Sequence, residues 1–281
     1  MRKTLIIVIC AVIVISSAVY YLFYEDTTLQ TWKTVVRDQD IPEEFNGYKI
    51  AHISDYHNAE SKRLNNMLLR SLRDEKPDII VITGDLIDSR RTDVDRAVKL
   101  IKDIKNIAPI YYVVGNHEAR CEAYAELKSR MEAEGVRIFE NQYDVIERNG
   151  AQINLAGIED PSCHPEILVL EDVIIRDEIQ LLDIDNGNYT VLLSHRAEAI
   201  DCYADNGVDL AFTGHAHGGQ IRIPFIGGLI APAQGFFPKY TDGLYTKGDT
   251  QMIVSRGIGN SLFPFRINNR PELVIATLSN H

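Results

Sequence analysis

Three short apolar runs decide the fold, and each one stops at a polar residue. Residues 49–57 read KIAHISDYH, residues 78–88 read DIIVITGDLID, and residues 110–118 read IYYVVGNHE. Short apolar runs bounded by Gly and polar residues are typical of buried strands. The stretches between them, 64–73 and 94–105, carry apolar residues at three- and four-residue spacing, which predicts helices. A βαβαβ pattern that repeats at about 30 residues predicts a buried parallel sheet.

Two later apolar runs end in the same way. Residues 189–195 read YTVLLSH, and residues 209–217 read DLAFTGHAH. In open α/β sheets, ligands bind beyond the carboxyl ends of the strands. We therefore expect five polar strand ends to converge, although they are spread over about 160 residues of the chain.

The rest of the chain predicts a second sheet. Residues 122–134 predict a helix, and residues 136–158 predict alternating strands with a turn at Asn149-Gly150. Residues 251–255 and 272–278 predict two more strands. We expect an α/β protein with two packed sheets and helices outside.

Composition excludes several classes of protein. Apolar residues make up 45% and charged residues 25% of the 281 residues, which are ordinary globular proportions and exclude disorder, collagen and a disulfide-framework miniprotein. The net charge is −11, from 29 Lys and Arg against 40 Asp and Glu. We expect no nucleic-acid-binding surface, because such a surface needs clustered basic residues. A small anionic substrate remains compatible with this charge.

The N-terminal segment has the length and composition of a membrane span. Residues 5–24 read LIIVICAVIVISSAVYYLFY without a charge, which is about the length needed to cross a hydrocarbon core as a helix. Arg2 and Lys3 precede it, so the positive-inside rule places everything after it outside the cytoplasm. We predict a single-pass anchor in the cell membrane over residues 1–26. Residues 27–48 then form a connector with an edge strand near Trp32 to Val36.

A cleaved signal peptide is the main alternative to the anchor. Ser16-Ser17-Ala18 offers small residues for cleavage, and the chain would then be secreted. We favour the anchor because the apolar run continues past Ala18 to Phe23. A buried core helix is a third alternative.

Cysteine usage indicates no zinc ribbon and no disulfide framework. Cys10 lies in the anchor, which leaves Cys121, Cys163 and Cys202 as an odd number without CxxC spacing. Two of the three could pair in an exported protein, but three inert thiols are the favoured interpretation.

The strand-end motifs are weak singly and strong together. Asp55-Tyr56-His57 is a common triplet, Gly84-Asp85 fits a capping turn, Gly115-Asn116 fits a turn, and a lone His195 is usually structural. Yet five of the eight His fall in these motifs, and all the motifs follow strands. Carboxylate, amide oxygen and imidazole suit divalent Mn, Fe, Zn or Mg. The set is large enough for two such ions.

The ordered series DxH, GDxxD, GNHE, a lone His after a strand, and GHxH resembles the calcineurin-like metallophosphoesterases. The resemblance runs from about Lys49 to Leu278. The stretches GHAHGGQIRIPFIGGLIAP and SRGIGNSLFPFRINNRPEL are similar to a membrane-anchored extracytoplasmic subgroup. The implied fold is a four-layer α/β/β/α sandwich of two mixed sheets, preceded here by one transmembrane helix. Residues 49–281 would form the catalytic domain.

The resemblance also implies roles for individual residues. The implied ligands of the first metal ion are Asp55, His57 and His217. Those of the second are Asn116, His195 and His215. Asp85 would bridge the two divalent ions. His117 would be the general acid or transition-state stabiliser, oriented by Asp88. The implied reaction is hydrolysis of a phosphodiester or phosphomonoester by a metal-bridging hydroxide, without a covalent phosphoenzyme.

One departure from the family matters for the substrate. Protein Ser/Thr phosphatases in this superfamily continue the second motif as Asp-Arg-Gly, whereas Asp88 is followed here by Ser89-Arg90-Arg91. Arg90 is a candidate substrate-binding residue, with a solvated loop arginine as the favoured alternative. We do not expect protein-phosphatase activity.

The substrate is predicted only by class. The apolar, Gly/Pro-rich residues 224–238 and the anchor predict an active site near the bilayer and a lipid-linked or cell-envelope phosphoester. A loop that simply packs on the core is the alternative. A different function is a membrane-tethered, non-catalytic metal- or phosphate-binding protein with a degenerate site, which the intact ligand set and His117 argue against. Nothing favours hydrolysis of another type of bond, and no protein partner is indicated.

Overall fold

Two six-stranded sheets form the body of the protein. The computed structural model describes residues 2–166, 169–184, 187–261 and 263–281. Met1 of the predicted anchor and Leu262 of the C-terminal stretch lie outside these residues. The strands of the first sheet are β1 (Gln30–Arg37), β2 (Lys49–Ile53), β3 (Ile79–Thr83), β4 (Ile110–Val113), β5 (Arg137–Phe139) and β16 (Glu272–Ser279). The strands of the second are β6 (Gln142–Arg148), β7 (Ala151–Gly157), β8 (Thr190–Arg196), β9 (Leu210–Gly214), β14 (Gly243–Lys247) and β15 (Thr250–Val254).

Helices and two small hairpins complete the described structure. The helices are α1 (Arg2–Thr27), α2 (Lys62–Glu75), α3 (Val94–Ile104), α4 (Asn116–Ala119), α5 (Tyr124–Ala133), α6 (Glu171–Leu181) and α7 (Ile200–Asp205). The hairpins pair β10 (Arg222–Ile223) with β11 (Gly227–Gly228), and β12 (Ile230–Ala231) with β13 (Gly235–Phe236).

The first sheet has the strand order β1-β16-β2-β3-β4-β5. The apolar runs in residues 49–57, 78–88 and 110–118 form β2, β3 and β4, and these strands pair in parallel as predicted. Strand β16 is antiparallel to β2, and β1 lies at the edge, parallel to β16. All five residues of β3 are buried, which explains its continuous apolar sequence.

The second sheet has the strand order β14-β15-β9-β8-β7-β6. Its four central strands are parallel, and both edge strands are antiparallel to their neighbours. The predicted strands of residues 136–158 divide between the two sheets, because β5 joins the first and the β6–β7 hairpin joins the second.

Three apolar clusters hold four layers together. One joins the first sheet to α2, α3 and α5, the second fills the space between the sheets, and the third joins the second sheet to α6 and α7. The middle cluster takes Ile79 and Val81 from one sheet and Val191 and Phe212 from the other. This arrangement confirms the predicted α/β/β/α sandwich of two mixed sheets.

Local sequence sets the ends of the outer helices. Helix α2 begins after Ser61, whose side chain accepts a hydrogen bond from the Leu64 amide, and it ends at Lys76 in a left-handed conformation before Pro77. Helix α3 begins after Asp93, which caps the Arg96 amide in the same way. Both helices bury one apolar face on the first sheet.

Helix α1 is long and apolar enough to cross a membrane, judged by length and composition. Its side chains are exposed from Arg2 to Tyr21, whereas Glu25 and Thr27 near its end are buried. The end is fixed to the body of the protein. The Asn269 amide donates to Glu25 Oε2 (2.8 Å), and the Arg266 amide donates to Asp26 Oδ1 (2.7 Å).

Candidate metal centre

The carboxyl ends of five strands carry the predicted ligands to one edge of the sandwich. Each ligand lies within the last residues of a strand or in the segment that follows it, which for Asn116 is the start of α4. The strand that precedes each of them is β2 for Asp55 and His57, β3 for Asp85, β4 for Asn116, β8 for His195, and β9 for His215 and His217. The structure brings all seven side chains together, as the strand-end argument expects.

The first ligand group comprises Asp55, His57 and His217, whose candidate ligand atoms lie within 4.8 Å of one another. His57 Nε2 is 3.2 Å from His217 Nε2, and His217 Nε2 is 3.3 Å from Asp55 Oδ1. All three residues are buried.

The second ligand group comprises Asn116, His195 and His215, with Asp85 beside it. His195 Nε2 is 3.1 Å from Asn116 Oδ1, 3.1 Å from His215 Nδ1 and 3.2 Å from Asp85 Oδ2. His195 Nδ1 lies 2.7 Å from the Thr83 carbonyl oxygen, to which it can only donate. In the neutral ring, this bond leaves the lone pair of Nε2 directed at the other ligands.

Asp85 lies between the two groups. Its Oδ2 is 3.2 Å from His195 Nε2 and 3.6 Å from His57 Nε2. Its Oδ1 accepts a hydrogen bond from the His117 amide (2.8 Å). Asp85 is therefore the one carboxylate of the predicted set whose oxygen approaches an imidazole of each group.

Much of the ligand set is held in an unusual backbone conformation. Five of the seven residues have positive φ angles, which residues other than Gly rarely adopt. They are Asp55 (51°), His57 (44°), Asp85 (53°), His215 (67°) and His217 (48°). Such strain is typical of functional sites, where surrounding structure maintains it.

Glycines let the ligand loops approach one another closely. A Cβ on Gly115 would lie 2.3 Å from Asp85 Oδ1, and a Cβ on Gly214 would lie 1.9 Å from Ser54 Oγ. Only glycine fits at either position without moving the loop that carries Asp85 or Asp55.

Burial and mutual charge set the protonation of the site. Burial disfavours charge on Asp85, but the neighbouring His195 outweighs it and holds the pKa of Asp85 well below its usual range. Burial also disfavours charge on His195, but the attraction of the Asp85 carboxylate is stronger than this effect. The pKa of His195 is therefore raised. Burial lowers the pKa of His57 to about 3 and the pKa of both His215 and His217 well below the usual range, so these three rings are neutral at pH 7.

The donor set fits divalent metal ions. Imidazole nitrogens face each other and face carboxylate oxygens at 3.1–3.3 Å. A shared cation would satisfy this arrangement, and its binding would release the proton that Asp85 favours on His195. The bond from His195 to the Thr83 carbonyl is the type of outer hydrogen bond that orients metal-binding histidines.

The His117 ring lies against the His57 ring of the first group, with centroids 4.6 Å apart, but Ser89 rather than Asp88 holds it. The Ser89 amide donates to His117 Nδ1 at 3.0 Å, and Ser89 Oγ lies 3.2 Å from the same atom. Asp88 Oδ1 is 3.6 Å from Nδ1, which is beyond a hydrogen bond. Its carboxylate instead accepts two bonds from the Arg90 guanidinium, both at 3.2 Å. Asp88 thus adjoins His117 without orienting it directly.

A cavity of about 450 Å³ opens onto the ligand groups. Asp85, His117 and His217 line one side of it. Arg90 also lines this cavity, where its guanidinium is paired with Asp88 and bonded to Ser261 Oγ at 3.2 Å. The arginine is therefore placed at the site, with part of its hydrogen-bonding capacity already used.

Two supporting residues were not assigned from the sequence. Glu118 is buried, and its carboxylate accepts from the amides of Asp85 (2.7 Å), Gly115 (3.0 Å) and Ile87 (2.9 Å), which ties two ligand loops together. Arg196 forms a buried, two-pronged pair with Asp160 and approaches His215 Nε2 at 3.4 Å. The sequence could have pointed to these two residues only through their positions. Glu118 directly follows the GNH motif, and Arg196 directly follows His195.

The four-layer sandwich and the two ligand groups at its strand ends define a metallophosphoesterase, an enzyme that hydrolyses phosphoric esters. The calcineurin-like phosphoesterase family matches residues 48–219, and the chain belongs to this family. Its members typically bind a dimetal centre, which agrees with the paired ligand groups.

Two relatives support this assignment, and a solved structure shares the fold. The chain is 30% identical to the uncharacterised metallophosphoesterase YkuE of Bacillus subtilis, over 92% of this chain and 88% of that protein. It is 26% identical to the phosphodiesterase YaeI of Escherichia coli, over 73% of this chain and 72% of that protein. The sulfate thiohydrolase SoxB of Thermus thermophilus, solved with glycerol, has the same fold at a TM-score of 0.52 and 12% identity, over 84% of this chain and 57% of that one.

Proposed function

We propose that this protein is a hydrolase of phosphomonoesters or phosphodiesters that uses two divalent metal ions. The observation that carries the proposal is the position of Asp85 Oδ2, which lies 3.2 Å from His195 Nε2 and 3.6 Å from His57 Nε2. A carboxylate shared between two ligand groups is the arrangement that a dinuclear centre requires. Mn, Fe, Zn and Mg all suit these ligands.

The ligand roles follow the two groups. Asp55, His57 and His217 would hold one ion, and Asn116, His195 and His215 the other, with Asp85 shared. When bound, two such ions activate water and neutralise charge on the phosphoryl oxygens. The chain contributes the dry, buried cage and the fixed direction of His195.

His117 supplies a hydrogen-bond donor. Because the Ser89 amide occupies Nδ1, the ring hydrogen of a neutral His117 lies on Nε2. That atom lies at the cavity, 3.5 Å from Ser261 Oγ and 4.0 Å from Asp85 Oδ2. It is placed to donate a hydrogen bond to the departing oxygen of an ester, and a donor directed at developing negative charge contributes about 10²–10³-fold in rate. Arg90 would contact the phosphate from the cavity wall.

Metal analysis and ester hydrolysis test this function together. The wild type should hold two ions per chain and cleave a chromogenic monoester or diester. His117→Ala should keep both ions and lose about 10²–10³-fold in kcat. Asp85→Asn should lose both metal and activity, whereas His281→Ala, at an exposed position, should behave as wild type. Two bound ions without hydrolysis of either ester would favour the non-catalytic binding protein.

We further propose that the enzyme acts on a lipid-linked or cell-envelope phosphoester. In this proposal residues 1–26 anchor the chain in the cell membrane, residues 27–48 connect, and the catalytic domain of residues 49–281 lies outside the cytoplasm. The charge distribution around α1 and its exposed apolar surface support the proposal.

Removing the membrane span tests the substrate class. Deletion of residues 2–18 leaves the contacts of Tyr21, Glu25 and Asp26 in place. Activity on an ester presented in a bilayer should fall, while activity on a soluble chromogenic ester should remain. Equal loss on both substrates, or no loss on either, would contradict a lipid-linked substrate.

A further inference from the structure

Two hairpins beside the metal centre expose large apolar side chains. Phe225 and Ile226 form the tip of the β10–β11 hairpin, and Phe236 and Phe237 end the β12–β13 hairpin. Each of the four is at least 62% exposed. The hairpins are adjacent in the chain, because only Leu229 separates β11 from β12. We call these four side chains the hairpin tips. Clustered exposed apolar residues mark interaction surfaces.

The first hairpin is linked at its base to the anchor helix α1. The side chain of Asn268 donates to the Arg222 carbonyl at the base of the first hairpin (3.1 Å) and accepts from the Tyr21 hydroxyl (2.8 Å). The Asn268 amide donates back to the same hydroxyl (3.1 Å). Tyr21 lies within the uncharged run of α1, four residues before Glu25. A tyrosine at that point of a spanning helix lies at the membrane interface, so the first hairpin is held at the same level.

The same segment forms part of the metal centre. Pro232 and Ala233, at the turn of the second hairpin, line the cavity that His117 and His217 also line. Arg222 Nη1 donates to the Gly218 carbonyl (2.9 Å), directly after His217. A surface that contacts the bilayer through the hairpin tips would therefore hold the cavity close to it.

We propose that the hairpin tips form a second membrane-contact surface that inserts into the bilayer beside α1, so that the cavity receives ester headgroups from the membrane. The bilayer is the occupant that the structure favours, because the base of the first hairpin is bonded through Asn268 to the end of a helix long enough to span it. The exposed Lys239, which follows the tips, suits anionic headgroups. The substrate-delivery part of this inference rests on the proposed function, whereas the insertion of the tips does not.

Fluorescence quenching by lipid tests the insertion. The full chain is placed in nanodiscs of phosphatidylethanolamine and phosphatidylglycerol with brominated acyl chains, in a background where Trp32→Phe removes the single native Trp. Phe225→Trp and Phe236→Trp report on the tips. Thr246→Trp is the control, because it is exposed in β14 near the end of the sheet away from the ligands. Quenching at both tips should exceed the control by about threefold.

Quenching no greater than the control would overturn the proposal. Tips that are unquenched but crosslink two chains in one nanodisc would show a self-association surface, which also overturns it. These outcomes do not depend on any enzymatic activity, so they remain readable if the proposed function fails.

A matched pair of esters tests delivery. Hexadecyl para-nitrophenyl phosphate embeds in the nanodisc, and ethyl para-nitrophenyl phosphate stays in water, while both carry the same leaving group. Phe225→Ser combined with Phe236→Ser should lower kcat/KM on the embedded ester by about tenfold, because less apolar surface contacts the bilayer. Hydrolysis of the soluble ester should change by less than about twofold, because it needs no membrane contact. Equal changes on both esters would contradict delivery from the bilayer. Failure of the wild type on both would contradict the diesterase form of the proposed function, and with it delivery of diester headgroups.

Discussion

The two ligand groups differ in what lies behind their imidazole rings. In the second group, His195 Nδ1 is bonded to the Thr83 carbonyl oxygen at 2.7 Å, so both the tautomer and the direction of the ring are set. In the first group, Nδ1 of His57 and Nδ1 of His217 are buried without a hydrogen-bond partner among the residues that the structure describes. The outer sides of these two rings are held by packing alone.

This difference indicates that the imidazole rings of the two halves are not equally fixed in orientation before an ion binds. A ring fixed by an outer hydrogen bond needs no reorientation when an ion binds, and outer partners of this kind contribute about 10–100-fold to metal affinity. We infer that the His195 half is preformed, whereas the half with His57 and His217 is completed by its ion.

Replacing Asp85 should weaken metal binding in both halves, because its Oδ2 approaches an imidazole of each. We expect Asp85→Asn to lower kcat/KM by more than about 100-fold, beyond the effect of losing an outer partner. Bound metal, measured by plasma mass spectrometry, should fall below two ions per chain. Asp249→Asn, in an exposed turn, is the matched control. A variant that retains two ions and near-normal activity would show that Asp85 is not shared.

Gly115→Ala should disturb Asp85 without removing it. The new Cβ would lie 2.3 Å from Asp85 Oδ1, and the φ of Gly115 is −105°, so crowding rather than backbone strain is the cause. We expect about 100-fold lower activity, since a displacement of about 1 Å at a reacting centre has an effect of this size. Steady-state hydrolysis of a chromogenic ester measures it. Wild-type rates in this variant would mean that the loop of Asp85 moves freely.

Metal titration should resolve two steps that differ by at least about tenfold in affinity. The tighter step belongs to the half that is preformed. Calorimetric titration of the metal-free protein with Mn²⁺ should therefore lose its tighter step in His195→Ala and its weaker step in His217→Ala. The reverse assignment would overturn the comparison between the halves.

Metal removal should have the smallest effect, on thermal stability. An ion present at 100 times its dissociation constant stabilises a protein by about 2.7 kcal/mol, so chelation should lower the melting temperature by several degrees. His217→Ala should retain most of this shift, because the tighter ion remains. An unchanged melting temperature on chelation of the wild type would contradict a structural contribution of the ions.

The sequence predicted the central strands because their residues are buried on both faces. Strand β3 is the clearest case, with five buried apolar residues between turn residues. Helices α6 and α7 and strand β14 could not be predicted in this way. Helix α6 follows Leu170, which offers no side-chain cap, and α7 spans six residues, too short for a period to be visible. Strand β14 is a largely exposed edge strand and carries no continuous apolar run.

The ligand set could be predicted from motif order, but its conformation could not. Positive φ angles at Asp55 and Asp85 depend on loops that meet only in the folded protein. The hydrogen bond from the Ser89 amide to His117 comes from the backbone, which no side-chain motif reveals. For the same reason, the sequence could not show that Asp88 is bonded to Arg90 instead of His117.

The last turn of α1 has a practical consequence for making a water-soluble enzyme. Glu25 accepts from the amide of Asn269, and the side chain of Asn269 donates to the His217 carbonyl at 2.8 Å, so the end of this helix supports a ligand loop. Trimming the chain after Thr28 would remove that support together with the apolar segment. Cutting after Ala18 would leave it whole, so detachment from the membrane and integrity of the site can be separated within ten residues of sequence.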